Sequence, residues 1–385
     1  MIIYNARILY GADFELIRGY IKVEDGLISE VGEGDIRGDM DAENCIIMPG
    51  LINAHVHLLD SIAKESGAGM TLDELVRPPN GYKQKILRST PKAKLVAAAR
   101  GAVREMISNG ITYFCEFSND PVLSKQANKE AKIYYEPTMV QVDDDVATNK
   151  PGPSIVDDVH GRAMECDGIG LSGVGEFSDA TLEKIADLGL PLALHAAEHM
   201  PSQQRSLALT GKTEVERAVK LNPDFLVHVT NPLEDDVRHI VKKNIPIVCC
   251  PRCNALLGVG VPPIMDFLEK GVLVALGTDN VMLNSPDLFR EMEFLSRIIS
   301  HVHKDSGTIS AKDILRMVTL NPAKILGLDS GLILEGKRAD LLFLRPHRNM
   351  SPLGDAVSAI VHRADARNVW RVMCRGRTIY DSSVG

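Results

Sequence analysis

The chain has 385 residues, 45% hydrophobic and 24% charged, the composition of a globular protein large enough for one big domain and a smaller one. A formal net charge of -8 and the lack of any Lys/Arg run argue against a nucleic-acid surface. No apolar run approaches the ~18 residues of a membrane span, and residues 1–10 (MIIYNARILY) do not read as a signal peptide, so a cytoplasmic protein with no membrane or nucleic-acid partner is expected.

Residues 1–48 read as short strands, with YIKVEDGLISEVG (20–32) forming two alternating runs around Asp25-Gly26, a strong hairpin signal. The stretch 46–60, I-I-M-P-G-L-I-N-A-H-V-H-L-L-D, passes through Pro49-Gly50 into a strand that ends on His55-Val56-His57. Alternation along a strand puts both imidazoles on one face. Such a pair is either half of a metal site or two half-buried core histidines. Residues 58–91 carry Gly67, Gly69, Pro78, Pro79, Gly81 and Pro91 with little regular period, and read as a long loop, functional or mobile. From there helix and strand patterns alternate: helix 92–109, strand 111–117, a helix near 120–130, strand 132–140, a helix near 154–165 and strand 168–177. Helix TLEKIADLG then pairs with strand 190–196, TEVERAVKL with 223–229, LEDDVRHIVKK with 245–250 and PPIMDFLEK with 271–278, before a helix at about 286–303. With the strand at 46–56 this makes eight strands separated by helices, the pattern of an α/β fold closed as a (β/α)8 TIM barrel. The tail returns to strand character at 331–345, 356–364 and 368–381. Strands at both ends predict a small composite β domain, a β sandwich of 1–48 and 331–385, beside a catalytic barrel over 49–330.

Active sites of such barrels lie at the C-terminal strand ends. Those ends carry His55, His57, Glu116, Glu176, His195 in LALHAAEH, His228 in LVHVT and Asp279 in ALGTDN. A lone histidine of this kind is more often a core residue than a ligand. Several imidazoles and a carboxylate at one rim, however, suit Zn²⁺ or Fe²⁺ better than Mg²⁺. Seven scattered cysteines read as reduced thiols. Cys250-Pro251-Arg252-Cys253 has no partner pair for a zinc site, and it is expected at a strand end rather than at the helix start a redox motif uses. Nor does it complete the zinc-deaminase signature H-x-E…P-C-x-x-C, because His195 and Glu198 are one residue too far apart. His301 and His303 fall on a predicted helix, where positions i and i+2 diverge by about 200°, and read as helix surface. The sequon at Asn349 has no secretory route.

The ordered set PGLINAHVH, LALHAAEH, LVHVT, CPRCNALLGVG and LGTDNVMLNSPDLFREMEF resembles the amidohydrolase superfamily. Within it, the chain is most similar to the branch of chlorohydrolases and purine or S-adenosylhomocysteine-type aminohydrolases. EGKRADLLFL resembles the returning β domain of that family, so the likeness covers nearly the whole chain. The resemblance implies one divalent metal ion, zinc or iron, held by His55, His57, His195 and Asp279 and acidifying a bound water. It also implies that Asp279 is the base, that His228 hydrogen-bonds the attacking hydroxide, and that Glu198 protonates the ring nitrogen next to the attacked carbon. The implied substrate is a small amino-substituted N-heterocycle (purine, pyrimidine, pterin or nucleoside-like), deaminated by a homo-oligomer, a dimer or tetramer.

Two other readings stay open. H-A-A-E also resembles the H-A-D-E run of imidazolonepropionases, which open a cyclic amide, and the fold also serves catalytically inactive scaffolds, which lose ligands that are all present here. The chain departs from the family at Cys253, where Ser is usual, and at His199, where a small hydroxyl residue is common. Glu176, at a strand end, is a candidate to bridge a second metal, as a carboxylate or carboxylated lysine does in binuclear relatives, but the Glu198 match favours one metal and leaves Glu176 either behind the ligands or in contact with the substrate. Residues 58–91 lack the aromatic-rich sequence of S-adenosylhomocysteine deaminases; Asp60, Lys64, Glu65 and Arg77 there are candidates for substrate contact or for a solvated face. Selectivity is expected in 58–91 and 141–153. With the single Trp370 in the terminal β domain, ring stacking falls to Tyr, Phe or His.

Overall fold

A computed structural model describes residues 1–77, 80–128, 130–137, 144–233 and 235–384. Nine strands among these form one sheet in the order Val274–Leu276, Ile247–Cys249, Phe225–His228, Leu192–Ala196, Gly168–Leu171, Ala131–Tyr135, Ile111–Ser118, Leu51–His57, Asp279–Asn280. The first and last members are pieces of one segment, separated only by Gly277-Thr278. Gly277 N–H donates to Cys249 O at 2.9 Å on one side, and Thr278 N–H donates to His55 O at 3.0 Å on the other. The sheet therefore curls back on itself as a TIM-like barrel. A Cβ at Gly277 would sit 2.7 Å from His55 Cβ and 2.8 Å from its carbonyl oxygen, so only glycine lets this segment pass against His55. Leu51–His57 is buried at every position, as expected for a parallel strand covered on both faces.

By packing, the chain divides into two compact units, 1–54 with 104–114 and 287–385, and 55–103 with 115–286. In the first, strands from both ends of the chain share a sheet in the order Arg377–Asp381, Val369–Cys374, Leu341–Leu344, Ile46–Pro49, Ile2–Tyr10, Glu15–Glu24, Leu27–Glu33. Ile3, Ile8, Ile21, Ile47, Phe343 and Trp370 pack together in its core. Asp25 (φ 50°) and Gly26 (φ 80°) make the two-residue turn expected of Asp-Gly, since both positions of the favoured hairpin turn require φ above zero.

Several elements differ from the sequence expectation. Residues 356–364 are not a strand but the helix Ala356–Arg363. Ala356, Val357, Ile360 and Val361 are buried at helical spacing, a period masked by their β-branched content. Asp355 caps this helix by accepting Ser358 N–H at 2.6 Å. Asp355→Ala is expected to lower stability by about 1 kcal/mol, seen as a lower urea midpoint at unchanged slope. An unmoved midpoint would show that the cap contributes nothing.

The run 331–345 is strand only over Leu341–Leu344, because Gly336 (φ 82°) turns the chain first. The strand expected over 168–177 stops at Leu171, and Glu176 lies instead in a short 3-10 turn, Val174–Glu176. Residues 58–91 hold a 3-10 turn, Leu59–Ala63, and two helices, Leu72–Val76 and Tyr82–Ser89, the first opened by a Thr71/Glu74 capping box. Pro78 and Pro79 lie outside the described residues, as do residues 138–140 of the expected strand 132–140, described as Ala131–Tyr135, and residues 141–143. Among the described residues no helix is long and apolar enough to cross a membrane.

Candidate active site

The strand Leu51–His57 delivers His55 and His57, and Leu192–Ala196 delivers His195 one residue before its end. His55 Nε2 lies 3.4 Å from Asp279 Oδ1 and 3.3 Å from His195 Nε2, and His57 Nε2 lies 3.4 Å from the same Asp279 oxygen. Donor atoms held tetrahedrally at ~2.1 Å from one ion would stand about 3.4 Å apart. The rings are turned to suit. His57 Nδ1 lies 3.0 Å from Phe117 O and His195 Nδ1 2.7 Å from Leu171 O. A carbonyl oxygen only accepts, so each Nδ1 carries the hydrogen and each Nε2 presents a lone pair. Burial, more than any neighbouring charge, holds both rings well below the ordinary histidine range and so neutral. Asp279 Oδ2 is buried with no hydrogen-bond partner among the described residues. Neutral imidazoles converging with one carboxylate fit a divalent first-row metal ion.

The remaining groups lie beside this cluster. Ala197 N–H donates to Glu214 Oε2 at 2.8 Å, fixing the turn that presents Glu198. His228 Nδ1 lies 3.0 Å from Asn254 Oδ1, the Asn254 amide being set by its Nδ2 donating to Thr230 Oγ1 at 2.7 Å. His228 Nε2 then faces Glu198 Oε1 at 3.5 Å. One donor atom each from Glu198, His228 and Asp279 lie within 4.8 Å of one another. Ala197, His228, Val229 and Asp279 all take positive φ, at 51°, 72°, 45° and 58°. For a β-branched valine this is a strained backbone, of the kind that collects where a site fixes its side chains.

Two carboxyl groups here are driven in opposite directions. Burial, aided by Asp279 and Glu214, pushes Glu198 well above the ordinary range, which favours its protonated form. Burial alone would raise Asp279 too, but its hydrogen bond to His55 holds it well below the ordinary carboxylate range.

The other residues flagged by the sequence have distinct places. Glu116 is fully buried and satisfied, Oε2 accepting Leu58 N–H at 2.8 Å and Oε1 accepting Ser124 O–H at 3.2 Å, so it pins the chain just beyond His57. Glu176, pushed up to about 8 by burial, accepts Ser172 O–H at 2.7 Å. Among the described residues it joins none of the groups that converge around the histidines. It lines a cavity of about 50 Å³ with His195, Glu198, His199, Arg77 and Arg205. His199 Nε2 is 3.3 Å from Asp73 Oδ1, Asp60 accepts Met282 N–H at 3.2 Å, and Lys64 and Glu65 are exposed. Cys253 is buried against Asp279; burial first, then that charge, raises its thiol, leaving a neutral, weak donor where the family usually has Ser. The C-x-x-C follows directly on the strand Ile247–Cys249, as expected, but it also opens a helix, Cys250 preceding Pro251–Leu256, and both cysteines are buried free thiols.

The sequence reading missed two residues. Glu136, one residue past Ala131–Tyr135, places Oε2 3.5 Å from His57 Nδ1. Ending that strand at its true length would have exposed Glu136 to the strand-end rule. Lys83 is buried beside it, 3.9 Å from Glu136 Oε2. A lysine on a short helix gives no signal of burial.

Residues 46–379 match the model of the amidohydrolase family. The chain is 34% identical to an uncharacterised protein of Methanocaldococcus jannaschii, the match covering 96% of each. It is 29% identical to a 5-methylthioadenosine/S-adenosylhomocysteine deaminase of Pyrococcus furiosus, over 98% of this chain and 94% of the relative. An adenosine deaminase from Xanthomonas campestris with bound zinc has the same fold, with a TM-score of 0.83 at 19% identity over 100% of this chain and 95% of that one. The chain belongs to the amidohydrolase family and is an enzyme acting on C–N bonds.

Proposed function

We propose that the protein is a metal-dependent aminohydrolase that replaces the amino group of an N-heterocycle (purine, pyrimidine, pterin or nucleoside-like) with oxygen and releases ammonia. One observation carries this reading. One oxygen each of Glu198 and Asp279 lie within 4.8 Å of one another and of a His228 nitrogen, with burial pushing Glu198 up and Asp279 held down, the division of labour that acid–base hydrolysis needs. Relatives named as nucleoside deaminases support it.

His55, His57, His195 and Asp279 would hold one divalent ion, zinc rather than iron, supplying a bound water acidic enough to lose a proton near neutral pH. Asp279 Oδ2 accepts that proton as the water oxygen forms its bond to carbon. His228, its Nδ1–H fixed on Asn254, offers Nε2 to orient the attacking oxygen. Glu198 gives its proton to the ring nitrogen next to the attacked carbon, so the added electron pair has a place to go. The proton held by Asp279 passes to the departing amine, the C–N bond breaks, and ammonia leaves. The hydroxyl left on the attacked carbon loses its proton as it becomes the carbonyl oxygen, and that proton restores Glu198 while the ring nitrogen keeps the one it received. The (β/α)8 barrel over 49–330 would be the catalytic domain and the terminal residues 1–48 and 331–385 a small β sandwich, in a cytoplasmic homo-oligomer without nucleic-acid or membrane partners.

Ammonia release from adenine, guanine, cytosine and pterin compounds tests the reading. Release is expected from the zinc-loaded protein, lost on chelation and restored by zinc. Silence across the panel with zinc bound one to one would reject deamination.

A further inference from the structure

Residues 58–91 carry a buried lysine that none of these steps uses. Lys83, on the helix Tyr82–Ser89, is only 6% exposed, and its Nζ lies 3.3 Å from Asn280 Oδ1. Burial opposes an ammonium there, but Glu136, Asp60, Asp279 and Glu116 outweigh it and keep Lys83 charged. Asn280, next in the chain after Asp279, donates Nδ2 to Asp279 Oδ1 at 2.9 Å. An asparagine amide fills its space equally well in two orientations. The reverse one would set Asn280 oxygen against the Asp279 carboxylate and its NH₂ against the ammonium. Lysine has donors and no acceptor, so it admits only one orientation.

We propose that Lys83 is a positioning residue for Asp279: by taking Asn280 Oδ1, it commits the Asn280 NH₂ to Asp279 Oδ1 and leaves Oδ2 free to take a proton. The proposal rests on the reading of Asp279 as ligand and base. Asp279 Oδ1 is the oxygen that meets both His55 and His57 at 3.4 Å, whereas Oδ2 is buried with no hydrogen-bond partner among the described residues. The same ammonium lies 3.9 Å from Glu136 Oε2, which is itself 3.5 Å from His57 Nδ1.

The test compares Lys83→Met, Lys83→Arg, Asn280→Ala and the Lys83→Met/Asn280→Ala double variant. Zn²⁺ affinity is measured by competition with a chromophoric chelator, and kcat and KM with the compound turned over. Lys83→Met is expected to weaken Zn²⁺ binding about 10–100-fold and to lower kcat by a similar factor, with KM within about threefold. Lys83→Arg, which keeps the donors, recovers most of the loss. Asn280→Ala alone matches Lys83→Met, and in its background Lys83→Met changes neither quantity by more than about twofold. Additive losses in the double variant would overturn the proposal, since Lys83 would not then act through Asn280. A rise in KM alone would overturn it as well, by making Lys83 a substrate contact. Tight Zn²⁺ binding in the unmodified protein with Lys83→Met unchanged removes only the role of Lys83. An unmodified protein that binds no Zn²⁺ removes the metal reading and the proposal together.

Discussion

Asp279→Asn should leave a folded protein that still binds zinc but turns over at least about 10³-fold more slowly, because general-base catalysis alone supplies ~10²–10⁴ and a disturbed metal ligand a further ~10–100. The substitution keeps the shape of the side chain and one oxygen, so binding is weakened rather than abolished. The proton acceptor, however, is gone. The buried Asp279 Oδ2 has no hydrogen-bond partner among the described residues, and an amide nitrogen in that place can only donate. Zinc content by elemental analysis and kcat by ammonia release separate the two effects. A variant that keeps its zinc and loses less than tenfold in kcat would show that the proton goes elsewhere.

The same residue shows what a single sequence can disclose. In a parallel barrel every strand ends at one rim, so chemistry-bearing residues at strand ends are neighbours by topology alone. His55, His57, His195, His228 and Asp279 could be placed together on that rule, and the structure puts them there. The rule fails where position depends on packing between segments. Lys83 enters the site because the helix Tyr82–Ser89 packs inward, and a lysine at that position reads as solvated until the neighbours that keep it charged are in view. Glu136 was lost because the expected strand, 132–140, was drawn past Tyr135, where the strand Ala131–Tyr135 ends. In the tail, Val357, Ile360 and Val361 favour strand by propensity, but their burial period and the Asp355 cap make a helix. Periodicity placed the alternating elements well, and it misled where propensity and period disagreed.

Glu198→Gln is the sharper test of chemistry, because it reads protonation as well as rate. Loss of the acid is expected to lower kcat by about 10²–10⁴, and the basic limb of the pH–rate profile should go with it. Activity needs Glu198 protonated, so the unmodified enzyme loses rate as pH climbs through the raised Glu198 value, whereas glutamine has nothing to lose there. The acidic limb, which needs an ionised Asp279 and a deprotonated water, should remain in both. Stability should move the opposite way. The folded state keeps a proton on Glu198 that the unfolded chain releases above the ordinary glutamate value of about 4.3. As pH rises past that value the unfolded chain gains relative to the folded one, until the raised folded value is reached. Glutamine escapes this cost, so the melting temperature of Glu198→Gln relative to the unmodified protein should climb as pH rises above the ordinary glutamate value, while kcat is lost. A variant that is slower but shows the same basic limb and no relative gain in melting temperature would mean that Glu198 is ionised in the folded protein. The proton for the ring nitrogen would then have to come from another group, and the half-buried carboxyl of Glu176, at about 8 and on the same cavity, is the one positioned to be examined next.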